Sequence, residues 1–399
     1  MSSKSSKQMN KLMALVMVLI VLLIMLSVLL VLKKRGETRS YDGYSSVEIE
    51  KSSIEESERD QQIEETNANQ EAGEDEKAEL EQPESASVEE PITICFTGDV
   101  LFDYEMPAHY DENGVLGIVS PDMLEVLSGA DITMVNEEFP FGVGGERQEK
   151  KYTYKCDPKY VTAMQELGVD VVSLANNHAL DFGRDVLSQT FVTLDNAGIK
   201  YAGAGETLDR ARELQLVEAG GKTVGFLAAS RVIPYTSWNI TDGQPGMLCT
   251  YDPSLLVAAI EDARDKCDFL VVYVHWGVER VEYPEEYERI MAKQYIQAGA
   301  DAVIGSHPHV LQGIEFIDGK PVFYSLGNFI FVQTIDKTMA VNVDLDNDGN
   351  AVWSIVPAQA SGGLTYVLEG DAAQNVINYV ESISFGVDID ENGVITPIQ

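Results

Sequence analysis

Short runs rich in Val and Ile recur along the carboxy-terminal three quarters of the chain. Each ends on residues that can ligate a metal or move a proton, which limits the fold more than any other feature. Residues 92–97, 132–135, 171–174, 269–274 and 302–304 read as buried strands. Between them, 122–127, 158–167, 184–197, 253–263 and 284–298 carry helical patterns. Asp157-Pro158 and Asp252-Pro253 each pair a capping acid with a proline in the first turn, where the missing N–H costs nothing. Strand–helix alternation predicts an α/β sheet with helical cover. Turns at Gly220-Gly221 and Asp318-Gly319 predict two hairpins. Asp346-Asn347-Asp348-Gly349 and Asp390-Glu391-Asn392-Gly393 read as β-turns. A calcium loop wants Glu six positions after its Gly, where Ile355 and Gln399 stand.

The amino terminus obeys different physics. Residues 12–32 run for 21 positions without a charge, Gly or Pro. About 20 such residues span the hydrocarbon of a bilayer, and no signal-peptide cleavage site follows. We therefore expect a short tail (1–11), a single transmembrane helix (12–32), a tether (33–90) and a folded domain (91–399). Within the tether, residues 36–90 hold 19 Asp and Glu against 4 Lys and Arg, a composition expected to stay disordered. Lysines and arginines flank the span on both sides, so charge does not fix its orientation. An early anchor behind a short tail implies a single-pass cell-membrane protein with its large domain extracytoplasmic.

The formal net charge of −37, of which residues 91–399 keep −28, excludes a nucleic-acid binder. Cys95, Cys156, Cys249 and Cys267 form no C-x-x-C pair; Cys95 and Cys267, in or beside predicted strands, read as small hydrophobes, with a disulfide as the alternative.

Four of the five histidines follow predicted strands; His109 reads as a bland loop residue. Asp99 ends Phe96-Thr97-Gly98-Asp99, and Glu137 and Glu138 follow Asn136. Ser173 runs through Asn176, Asn177 and His178 to Asp181 and Gly183. Asn177 offers an amide oxygen, His178 suits proton transfer, and Asp181 either orients that imidazole or caps a helix. His275-Trp276-Gly277-Val278-Glu279 and Gly305-Ser306-His307-Pro308-His309 bring the remaining imidazoles. Carboxylate, amide oxygen and imidazole together suit one or two divalent ions, Mn, Fe or Zn. Arg147, Lys150, Lys151 and Lys155 form a cationic cluster close after the acids of the second strand. Lys155, and with it Arg147, is the expected anion contact, with Glu279 as a polar substrate contact.

In this order the motifs, closed by Ser325-Leu326-Gly327-Asn328-Phe329, resemble the CapA family of poly-γ-glutamate capsule proteins over roughly residues 92–335. That family is similar to calcineurin-like metallophosphoesterases. The resemblance implies a two-sheet α/β sandwich with a dinuclear metal centre at the strand ends. It assigns Asp99, Glu138 and His309 to one metal site, and Asn177, His275 and His307 to the other. Glu138 would bridge the two, and His178 would donate a proton. Phosphoesterases of this type use Asp-x-His first, whereas Asp99-Val100-Leu101 supplies no imidazole. The expected role is synthesis, export or attachment of an anionic extracellular polymer such as poly-γ-glutamate, alongside other membrane-bound synthesis proteins. The alternatives are a metal-dependent phosphoesterase-like hydrolase and a non-catalytic scaffold.

Overall fold

The computed structural model describes residues 91–398 apart from Asp242; the expected anchor and tether lie outside the described residues. Among the described residues, no helix is long and apolar enough to cross a membrane.

Two sheets carry the domain. The first contains β1 (Ile92–Val100), β2 (Ile132–Glu137), β3 (Val171–Ser173) and β4 (Lys200–Ala202), all parallel in that order. On the other side of β1, β14 (Ile335–Leu345) runs antiparallel, followed by β15 (Ala351–Ser361), β18 (Val394–Pro397) and β17 (Val387–Ile389). The short β13 (Asn328–Ile330) pairs with the end of β1, and β16 (Leu364–Val367) with β15. The second sheet has the order β11 (Leu311–Ile317), β12 (Lys320–Leu326), β10 (Ala302–Ser306), β9 (Phe269–His275), β7 (Lys222–Ser230) and β6 (Gln215–Ala219). Its central strands β12, β10, β9 and β7 are parallel. A further pair joins β5 (Ala204–Gly205) to β8 (Gly246–Met247).

The period of two along β9 explains the layering. Phe269, Val271 and Tyr273 face the interior shared with the first sheet. Leu270, Val272, Val274 and Trp276 face a second cluster built with Leu256, Ile260, Met291 and Tyr295. Those four come from the helices Ser254–Ala263 and Glu286–Ala298. Between the sheets, the Trp353 ring lies 5.3 Å from Phe323 and 6.2 Å from both Phe96 and Phe269. Tyr273 Oη donates across the same interface to the Thr97 carbonyl (2.8 Å).

The expected hairpins form, β6–β7 at Gly220-Gly221 and β11–β12 at Asp318-Gly319. The two acidic Gly turns close the hairpins β14–β15 and β17–β18. In each, the first Asp accepts backbone N–H groups of its own turn. All four cysteines are free. His109 departs from expectation: it sits on the helix Met106–Asn113 rather than in a loop.

Candidate metal centre

The parallel strands deliver their ligating residues at their carboxyl ends, where open α/β sheets present ligand sites. A register shift in β1 sets Asp99 opposite Asn136 of β2 and Asn328 of β13. Gly98 permits this crowding, because a Cβ there would collide with the Gly327 carbonyl. In the second sheet His275 lies in register with Ser306, and the chain then turns through His307-Pro308-His309. His307 (φ 100°) and His309 (φ 58°) both occupy the left-handed region, a strained state that concentrates at functional sites.

Glu138 is the meeting point. Its carboxylate forms one three-donor set with Asp99 and His275 and another with His307 and His309, all donors within 4.8 Å of one another in each set. His275 Nε2 stands 3.7 Å from Glu138 Oε1 and 2.8 Å from Asn177 Oδ1. His309 Nδ1 lies 3.2 Å from Asp99 Oδ2 and 3.9 Å from Glu138 Oε2, while bonding to Asn328 Oδ1 at 2.7 Å. The structure thus gathers Asp99, Glu138, Asn177, His275, His307 and His309 into one constellation. Glu138 belongs to both donor sets, while Asp99 stands nearest His309 (3.2 Å) and Asn177 nearest His275 (2.8 Å).

The donors fit a divalent cation. Both Glu138 oxygens, Asp99 Oδ2 and His307 Nδ1 are buried without a hydrogen-bond partner. Two buried carboxylates face only one charged imidazole, His309, and buried charge costs several kcal/mol per ion by order of magnitude, so this set calls for further positive charge. Burial, reinforced by Asp99, pushes Glu138 well above the ordinary carboxylate range. Burial drives His275 well down and His307 down to about 3, keeping both neutral as ligation requires. Burial opposes a charge on His309, but Glu138 and Asp99 outweigh it and push that imidazole up to about 10. Outer partners hold the donors in place. Asn136 Nδ2 donates to Asp99 Oδ1 (2.8 Å), Asn176 Nδ2 to Asn136 Oδ1 (3.2 Å), and Ser306 Oγ meets His275 Nδ1 (3.0 Å).

A second group adjoins through Asn177. His178 Nδ1 is 2.6 Å from Asp181 Oδ2, which orients the ring and leaves Nε2 free of that contact. Lys150 Nζ bonds Asp181 Oδ1 (2.7 Å) and the Asn177 carbonyl, and lies 3.1 Å from His178 Nδ1. Burial lowers the Lys150 ammonium and the His178 imidazole, and Asp181 opposes both shifts. The Tyr154 ring packs 4.4 Å from the His178 ring.

The cationic loop therefore reaches the site through a different residue from the one expected. Lys155 Nζ goes to the Gly144 carbonyl and over the Phe182 ring (4.1 Å), and Arg147 Nε binds Thr153 Oγ1 (2.6 Å). Glu279 is exposed, and its field reaches Lys150. Lys150 wins because the loop is pinned across Asp181, by Gln148 N to its carbonyl (2.9 Å) and Tyr154 N to its Oδ2 (2.7 Å). No sequence signal singled out Lys150, because the burial of Asp181 is visible only in the fold.

The family model described as Bacterial capsule synthesis protein PGA_cap matches residues 93–333. "Capsule biosynthesis protein CapA" of Bacillus anthracis is 30% identical over 292 residues, covering 69% of each chain. "PGA biosynthesis protein CapA" of Bacillus subtilis (strain 168) is 27% identical over 275 residues, covering 67% of this chain and 71% of that one. Among solved structures, a hypothetical protein from Thermus thermophilus has a TM-score of 0.43 at 15% identity, covering 67% of this chain and 99% of that one.

Proposed function

This chain belongs to the bacterial capsule synthesis protein family PGA_cap, and on that premise we propose that it acts in the synthesis, export or attachment of an anionic extracellular polymer such as poly-γ-glutamate. The observation that carries the reading is the buried Glu138 constellation lying inside the matched segment. We further infer that the two sheets are a variant of the calcineurin-like metallophosphoesterase scaffold. In this reading Asp99, Glu138, Asn177, His275, His307 and His309 hold Mn, Fe or Zn. A bound ion of this class supplies Lewis-acid polarisation of a carbonyl or phosphoryl oxygen.

The residues of the chain do the rest. Asp181 and Lys150 fix the His178 ring, so that Nε2 is the atom that exchanges a proton with the substrate. Strands on two sheets hold the donors rigidly, which suits a site that must orient one end of a long chain. The apolar run 12–32 and the acidic segment 33–90 support an extracytoplasmic domain tethered to the cell membrane beside other polymer-synthesis proteins. The His178–Asp181 pair also favours a second reading, a metal-dependent hydrolase acting on the polymer or on a phosphoester.

The test is genetic. Replacing the chromosomal copy by Glu138→Gln is expected to abolish extracellular γ-glutamyl polymer as fully as deletion does. Undiminished polymer in the deletion strain would remove the reading, and wild-type levels in the variant alone would detach the function from this site.

A further inference from the structure

Beside the constellation, a cavity of about 460 Å³ opens between the His309 turn and the strand β14. This volume falls within the roughly 300–1,000 Å³ of small-ligand clefts. His309 and Asn328 form its inner wall, and Arg280 and Lys337 bring cations to its rim. Among the described residues the exposed Arg280 guanidinium has no hydrogen-bond or ion-pair partner, which leaves it free to receive an anion in a domain carrying −28. The Arg280 backbone is held in the left-handed region (φ 62°), and its N–H donates to the Pro308 carbonyl (2.7 Å). The cation is thereby tied to the turn that carries both imidazoles. Opposite it, Lys337 Nζ rests 4.5 Å from the Tyr379 ring, without a carboxylate partner among the described residues.

Two acids, Glu282 and Asp336, share the rim, and Glu282 accepts from Tyr379 Oη (2.9 Å). With the His309 imidazole, three cations face two acids, so the cavity attracts anions, while the two acids beside them disfavour a compact dianion such as phosphate. Cations and acids side by side suit a chain that carries carboxylates and amide N–H donors together, as each γ-linked glutamate unit does. We propose that this cavity is the subsite for a carboxylate-bearing, amide-linked segment of the substrate next to the metal centre. Arg280 and Lys337 receive its carboxylates, and Glu282 and Asp336 receive its amide N–H groups. The proposal rests on the polymer reading above.

The full chain, titrated with an end-labelled γ-linked glutamate oligomer, tests it by fluorescence anisotropy. Arg280→Gln and Lys337→Gln are each expected to weaken binding about tenfold, the loss of one charge-assisted contact, with metal content unchanged. The two positions lie on separate elements, so a folding defect in one variant leaves the other informative. Equal affinity in wild type and both variants would overturn the subsite while sparing the polymer reading. Absence of oligomer binding to the wild type would overturn both. Inorganic phosphate competing as well as the oligomer would overturn the ligand class.

Discussion

At the residue scale, buried charge decides which side chains act together. Asp181 is fully buried and shared by His178, Lys150 and the Tyr154 N–H. Removing one partner of such a pair strands the other charge, at a cost of about 3–5 kcal/mol. Lys150→Met is therefore expected to lose about 3 kcal/mol in urea unfolding. Lys155→Met, which gives up a carbonyl contact and a ring, should lose less than about 1 kcal/mol. Equal losses would contradict the placement of Lys150 in the site. The ligand candidates were legible from the sequence because each follows a strand. The choice among the four cations of the 147–155 loop was not, because it depends on how that loop crosses Asp181 in space.

At the scale of elements, the buried strands and their helices could be read closely. The helix Arg184–Ala197 falls on its expected boundaries, and β9 extends its expected strand by only His275. The long hairpin β14–β15 was not among the expected strands, since Asp336, Lys337 and Asp344 interrupt its apolar pattern on the exposed face. Nor did the sequence reveal the acid closing the helix Glu286–Ala298. Glu288 is buried, accepts the Glu285 N–H at 2.7 Å, and burial pushes its carboxyl from 4.5 up to about 7. A raised carboxyl holds its proton more tightly in the fold. Its contribution is therefore fully present below pH 4.5 and is lost as the pH rises through about 7. The swing is on the order of 3 kcal/mol. Glu288→Gln keeps an acceptor and cannot ionise, so it should flatten this part of the stability–pH curve and be the more stable form at pH 8. An unchanged slope between pH 5 and 7 would refute this role for Glu288.

For the whole molecule, the two sheets exist to converge. Asp99 and Glu138 arrive from the first, His275, His307 and His309 from the second, and the Trp353 cluster locks the faces between them. Truncating a ring in that cluster would cost about 3–5 kcal/mol and loosen the geometry of every donor at once. The α/β class was legible because alternation of strand and helix is local. How closely Asp99 approaches each imidazole was not, since it depends on how the two sheets pack against each other. The central claim is that Glu138 belongs to both donor sets, and metal analysis of the full chain purified without chelators tests it most directly. Wild type should carry one or two divalent ions per chain, and Glu138→Gln should lose them, because both sets contain that carboxylate. Metal at background level in the wild type, or retained in full by the variant, would contradict the account.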